Sequence, residues 1–338
     1  MRQTGNLKNK SSLIKLNPNV LKASYMKALP QLSASHKQLF EQQFAVVKRA
    51  HDEFQSQSQS IFKEQGVDPK KLNDELAKIF RLTDFKLQQQ KLTEFKQKNA
   101  SLIAATQNSF VASGVSKRLM DRYPLGKNQK LRPGLNPGAV IIEDDPAPPP
   151  PPPTDSDLRL TAPFSFSGMS GDRQPINVAS TQGRIITSIS KYMDSGLATA
   201  FVGQVLIVPV GVRSIEVTAV FSDTFFAAAA VVLVGYGSAD THVSLRILTT
   251  ESRLLAEERR KMANVTLPIA GYTEDTRGPR GPALSLIGRY NRPDASGEEQ
   301  VHLVFTAEAW GGGGGLIGGG GNAFCAGTLE RFDVRMIR

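Results

Sequence analysis

The chain is poor in the residues that most enzymes and extracellular scaffolds rely on. One cysteine, Cys325, in 338 residues excludes an internal disulfide framework and a cysteine-built zinc site. Four histidines, His36, His51, His242 and His302, are dispersed along the chain, so the sequence predicts neither a metal nor a cofactor. There is no G-x-x-x-x-G-K-S/T phosphate loop, no G-x-G-x-x-G after a strand and no H-E-x-x-H. Long hydrophobic runs are missing too. The longest apolar stretch, Phe225–Tyr236, is too short to span a bilayer as a helix and reads as a buried strand. No apolar run follows the basic N-terminal residues Met1–Lys10, which argues against a secretion signal. The expected location is therefore a virion or the cytoplasm.

Little remains to carry catalysis. Gly168-Met169-Ser170-Gly171-Asp172 departs from a nucleophile elbow at its fifth position. A serine triad built on His242 or His302, or a carboxylate pair such as Glu308 with Glu330, has no support in the spacing. Asp155-Ser156-Asp157 lacks the rest of a calcium loop. The expectation is a protein without enzymatic activity and without a small-molecule substrate.

The most ordered information lies in a proline run, Pro146-Ala147-Pro148 through Pro153, flanked by Glu143-Asp144-Asp145 and Asp155-Ser156-Asp157. Consecutive prolines fix φ and lack N–H donors, so this stretch is read as an extended, solvated rod. Charge divides around it. Residues 1–140 hold 24 Lys+Arg against 10 Asp+Glu, residues 141–157 hold five acids and no base, and residues 158–338 hold 17 against 16. The basic excess belongs to the first part alone.

The divisions follow: a partly ordered basic arm over 1–32, a helical hairpin over 33–140, an acidic polyproline linker over 141–157 and a β-sandwich over 158–338. In the arm a short helix is predicted from Asn19 to Leu29. From Ser33 to Gln65, Phe40, Phe44, Val47, His51, Phe54, Ser58 and Ile61 recur at alternating spacings of four and three, a heptad-like seam with His51 and Ser58 as its polar members. Gly66-Val67-Asp68-Pro69 closes that helix and opens the next. The second helix is predicted to run from Pro69 to Ala112 with Leu72, Leu76 and Phe95 inward, its register shifting near Leu82–Phe85 and its seam interrupted at Asn99. A lone hairpin leaves an apolar stripe uncovered, so these residues are expected to drive self-association, with an intrachain bundle as the other solution. Lys8, Lys10, Lys117, Arg118, Lys127, Lys130 and Arg132 are the candidates for nucleic-acid contact. The lysines are spread along the helices, as on solvated faces, rather than packed in a block.

Beyond the linker the period changes to two, with turn residues every 8–12 positions. Strands are predicted over Arg184–Tyr192, Ala200–Val208, Ser214–Phe221, Ala229–Tyr236, His242–Leu248, Asn264–Pro268, Ala283–Arg289, Val301–Ala309 and Thr328–Ile337, with one helix over Thr250–Met262 in which Glu257 and Lys261 pair. Nine strands suggest an antiparallel, jelly-roll-like sandwich. Trp310, Gly311–Gly315, Leu316, Ile317 and Gly318–Gly321 read as a glycine loop. Its alternatives are a partner-contact surface and an inert connection.

Together these features suggest a structural or assembly protein of a viral or phage-like particle, as capsid or attachment subunit. The partners would be other copies of itself, nucleic acid through the basic segment, and a receptor or membrane surface through the glycine loop. The alternative is a glycan- or membrane-binding module or toxin; a hydrolase ranks last.

Overall fold

The computed structural model describes residues 17–82, 84–114, 157–172, 177–267, 271–277 and 283–338. Five helices precede ten strands: α1 (Pro18–Leu32), α2 (Ala34–Glu64), α3 (Pro69–Phe80), α4 (Phe85–Lys98), α5 (Ala100–Ser113), then β1 (Leu158–Thr161), β2 (Phe166–Gly171), β3 (Val178–Ala179), β4 (Arg184–Tyr192), β5 (Ser195–Val208), β6 (Ser214–Leu248), β7 (Leu254–Leu267), β8 (Gly271–Arg277), β9 (Leu284–Asn291) and β10 (Glu299–Ile337).

Two very long strands organise the sheet. β6 has 35 residues and β10 has 39, and they pair antiparallel from Ser214↔Ile337 to Leu248↔His302. Stretches that the sequence pattern divides into five strands thus form two. Along the free edge of β10 lie β5, β4 and β1 in turn; along the free edge of β6 lie β7, β8 and β9. At ~3.3 Å per residue a straight strand of this length would reach ~130 Å, far beyond a single core. The ribbon instead folds back on itself. Phe221 near one end of β6 meets Phe305 of β10 with ring centroids 4.7 Å apart. Gly288 of β9 faces Leu245 and Ile247 of the opposite end of β6. A two-layer antiparallel sandwich results, its core built from Ile215, Val217, Phe221, Val243, Leu245, Ile247, Leu303 and Phe305.

The bend falls where the glycines are. The β6–β10 register slips between Gly315 and Ile317 and again before Gly319. A Cβ on Gly313 would collide with the backbone of Gly319, and one on Gly321 with the Ser238 carbonyl oxygen and the Gly312 backbone. Backbone lies directly on backbone there, which only glycine permits. The predicted glycine loop is therefore corrected: it is strand, paired to β6 across Gly311↔Ala239 and Gly321↔Ala229.

The helices also depart from expectation. An independent coiled-coil hairpin is not what the structure shows, because the helices lie on the sheet. Leu21, Tyr25 and Leu29 of α1 share a buried cluster with Phe166, Phe201, Leu248 and Val304. Phe62, Leu72, Leu76, Ile79, Phe95 and Leu102 form a second cluster that reaches Tyr192 of β4. The single helix expected over 69–112 is three. Asp84 accepts from the Lys86 and Leu87 amides and so starts a new helix, while the Asn99 side chain donates to the Phe95 carbonyl and closes it. The arm is also more helical than expected, since α1 runs from Pro18 through Pro30. The helix predicted over Thr250–Met262 is strand β7: Glu257 reaches Arg246 on the neighbouring strand at 2.8 Å rather than Lys261 one turn on.

Candidate functional site: a buried polar cluster between helix and sheet

Strand alternation gives the sheet a second buried face. With Val243, Leu245 and Ile247 committed to the sandwich core, Asp240, His242, Ser244 and Arg246 of β6 emerge on the other side. On β10 the same holds for Thr306, Glu308 and Trp310. The register sets Trp310 across from Asp240, Glu308 across from His242 and Thr306 across from Ser244. α1 and the first turns of α2 roof this face with Tyr25, Ser33, His36 and Phe40. Arg246 is 0% exposed, and His36, Asp240 and Glu308 are each 1% exposed.

One half of the cluster centres on Glu308. Its Oε1 accepts from Ser33 Oγ at 2.8 Å and from Arg246 Nη2 at 3.2 Å. Its Oε2 accepts from His36 Nδ1 at 2.7 Å and from Trp310 Nε1 at 3.4 Å. Arg246 uses every guanidinium nitrogen, sending Nη1 to Tyr25 Oη and Nε to Glu257 Oε1, both at 2.8 Å. Tyr25 Oη in turn meets Thr306 Oγ1 at 2.8 Å. An isolated ion in such a place would cost several kcal/mol; here each guanidinium nitrogen has an acceptor.

The other half is Asp240 between two imidazoles. His242 Nε2 lies 3.3 Å from Asp240 Oδ2, and His36 Nε2 lies 3.6 Å from Asp240 Oδ1. The two rings have centroids 3.4 Å apart. Despite this proximity, His36 Nε2, Asp240 Oδ1 and both His242 nitrogens lack a hydrogen-bond partner among the described residues. One donor atom from each of His36, Asp240 and His242 lies within 4.8 Å of the other two.

Electrostatics assigns the protons. Burial alone would lower the His36 pKa, but the Asp240 and Glu308 carboxylates outweigh it and hold it above the ordinary value. Burial dominates at His242, which falls to about 4. Two imidazoles in ring contact disfavour a double charge, so of the two His36 is the one that holds a proton more readily and His242 the one kept neutral. Burial raises both Asp240 and Glu308, yet the imidazoles of His242 and His36 beside Asp240, and His36 with Arg246 beside Glu308, bring each well below the usual carboxylate range. Arg246, penalised by burial but faced by Tyr25, Glu308 and Glu257, is held above its ordinary value.

The residues singled out from sequence distribute as follows. Trp310, expected at the base of an exposed loop, is buried against Phe40 and His36, with centroids at 5.3 and 4.7 Å. Gly311 and Gly321 are buried and Gly315 half-buried; Leu316, Ile317 and Gly318 lie within β10. Of the seam residues, Phe40, Phe54, Leu72, Leu76 and Phe95 are buried inside the chain itself and Ile61 is half-buried, which corrects the picture of an uncovered stripe. Phe44 and Val47 lie within α2. Lys8, Lys10, Lys117, Arg118, Lys127, Lys130 and Arg132 lie outside the described residues, as does the linker up to residue 156. Glu308 is buried while Glu330 is exposed, so they form no carboxylate pair.

Sequence reasoning treated the histidines as scattered, yet His36 and His242 meet across 206 positions of sequence. The strand predicted over His242–Leu248 sets His242, Ser244 and Arg246 on one face, but no local signal says that helices cover it.

No family model matches the chain, and no curated protein is similar to it. Among solved structures, the enzymatically active domain of bacteriophage CBA120 tailspike protein 4 aligns at 14% identity over 51% of this chain and 19% of that one, with a TM-score of 0.20. TmCBM61, solved in complex with β-1,4-galactotriose, aligns at 8% identity over 50% of this chain and 88% of that one, with a TM-score of 0.17. A structure of infectious bursal disease virus, Gx strain, aligns at 11% identity over 62% of this chain and 47% of that one, with a TM-score of 0.15. Superpositions this loose carry no argument about what the chain does.

Proposed function

We propose that this chain is a non-enzymatic structural or assembly subunit, in the setting of a viral or phage-like particle. In this reading the folded ribbon is a rigid shell or contact element, and the basic N-terminal residues face nucleic acid. The observation that carries it is the sealing of the polar cluster. Its charged groups converge under α1 and α2, at most 1% exposed for His36, Asp240, Arg246 and Glu308, where a substrate cannot reach them. Such an arrangement serves to fix one shape. The uneven charge supports the nucleic-acid role, since the excess of bases is confined to residues 1–140.

The test uses the purified full-length chain. Light scattering and electron micrographs should show closed shells or uniform oligomers. In the capsid form, an absorbance ratio near that of nucleic acid should fall on nuclease treatment. A chain that stays monomeric at every concentration and carries no nucleic acid would overturn the reading. Glycan binding by such a monomer would move it to the class of recognition modules.

A further inference from the structure

The orphaned atoms beside Asp240 ask for an explanation that the protein alone does not supply. A buried polar atom without a partner is rare in a native interior. Here three side chains carry such atoms, His36, Asp240 and His242, and one donor atom from each lies within 4.8 Å of the other two. Were these groups hydrogen-bonded to each other, the contacts would be shorter and better aligned than the 3.3 and 3.6 Å approaches seen. Buried donors this close together that do not bond one another suit an ion placed among them.

The spacing agrees. Around a four-coordinate ion with bonds of ~2.0–2.1 Å, neighbouring donors sit roughly 3.3–3.4 Å apart. His242 Nε2 approaches Asp240 Oδ2 at 3.3 Å and His36 Nε2 approaches Asp240 Oδ1 at 3.6 Å, near that edge though on the two different oxygens, and the two imidazoles, with centroids 3.4 Å apart, swing apart to take one ion between them. The surroundings agree as well. His36 gives its other nitrogen, Nδ1, to Glu308 at 2.7 Å, which leaves Nε2 on the Asp240 side, free to act as the ligand once the ring is neutral. Glu308 is itself held by Ser33, Arg246 and Trp310. A carboxylate that orients a ligating histidine is the usual outer support of such a centre.

We propose that His36, His242 and Asp240 form a binding site for one divalent transition-metal ion of the zinc type, tying the first turn of α2 to β6. Two imidazoles and a carboxylate suit zinc and its neighbours. The hard cations calcium and magnesium prefer more oxygens. The site is sealed, so the ion enters as the chain folds and acts as a structural tie. Glu308 is a positioning residue that acts through His36.

The experiment refolds the full-length chain from denaturant with zinc chloride alone, desalts it and measures bound metal. One zinc per chain is expected, with a melting temperature several degrees above that of the chelator-refolded protein and no such rise with calcium or magnesium. Cobalt refolded in its place should give the visible absorption of a four-coordinate ion. His36→Gln and His242→Gln should each abolish stoichiometric binding, Glu308→Gln should weaken it ~10–100-fold, and His302→Gln should leave it intact. X-ray absorption at the zinc edge of the unmutated protein keeps the test independent of whether the variants fold: it should read two imidazoles in a shell of nitrogen and oxygen. Absence of stoichiometric zinc, a sulfur neighbour, fewer than two imidazoles, or unchanged binding in folded His36→Gln and His242→Gln proteins would each overturn the proposal.

Discussion

Replacing Gly321 with alanine should damage this protein far more than so small a change usually does. The added methyl would enter the space of the Ser238 carbonyl oxygen and stand 2.8 and 2.9 Å from the Gly312 nitrogen and oxygen. All three are backbone atoms of paired strands, so none can rotate away as a side chain would. Inserting a methyl group into a well-packed interior costs ~1–3 kcal/mol when neighbours are able to yield. Where the neighbours are backbone on both sides, the loss should reach or exceed the top of that range, ~3 kcal/mol or more. Gly297 supplies the control: it has open space around it, so Gly297→Ala should change stability by less than ~0.5 kcal/mol. Denaturant unfolding followed by fluorescence suits the measurement, because the single tryptophan, Trp310, lies buried at the junction of helix and sheet. Equal stability of the Gly321→Ala and Gly297→Ala proteins would show that the glycine run is a permissive loop and that the ribbon does not fold there.

Arg246→Met should cost ~3–5 kcal/mol, since it leaves Glu308 and Glu257 without their shared cation, and Arg246→Met with Glu308→Met should cost less than the two changes summed; additive losses in thermal melts would refute the coupling. Phe40→Ala should cost ~3–5 kcal/mol through loss of its contact with Trp310 and should leave the oligomeric state seen by light scattering unchanged; loss of assembly with little loss of stability would return Phe40 to an intermolecular seam. Tyr192, whose hydroxyl donates to Asn73 Oδ1 at 2.9 Å, is pushed up to about 12 by burial, with Asp74 adding to it. Its neutral form therefore favours the folded state. That contribution is complete below the unfolded value of ~10 and is lost as pH rises through about 12. Tyrosinate absorbance should show a late-titrating group that Tyr192→Phe removes; simultaneous titration of all tyrosines near ~10 would contradict this.

The sequence alone determined the local order of this chain. Alternation in Val301–Ala309 set Val301, Leu303, Phe305 and Ala307 on one face and Thr306 and Glu308 on the other, and the structure keeps that division. Strand β4 falls on the bounds its pattern predicts, and Asp68 with Pro69 starts α3 where expected. These features are legible because they depend on neighbours a few residues away. Tertiary structure decided what covers each face. An amphipathic helix such as α2 reads the same whether its apolar stripe meets another copy or a sheet, and a run of glycines reads the same in a loop or at a backbone crossing. Glu257 lost its helical partner because a neighbouring strand offered Arg246, a contact set by register rather than by spacing. The cluster of His36, Asp240, His242 and Glu308 exists only because the β6–β10 ribbon and α2 bring together residues distant in sequence; no periodicity within one segment encodes that meeting.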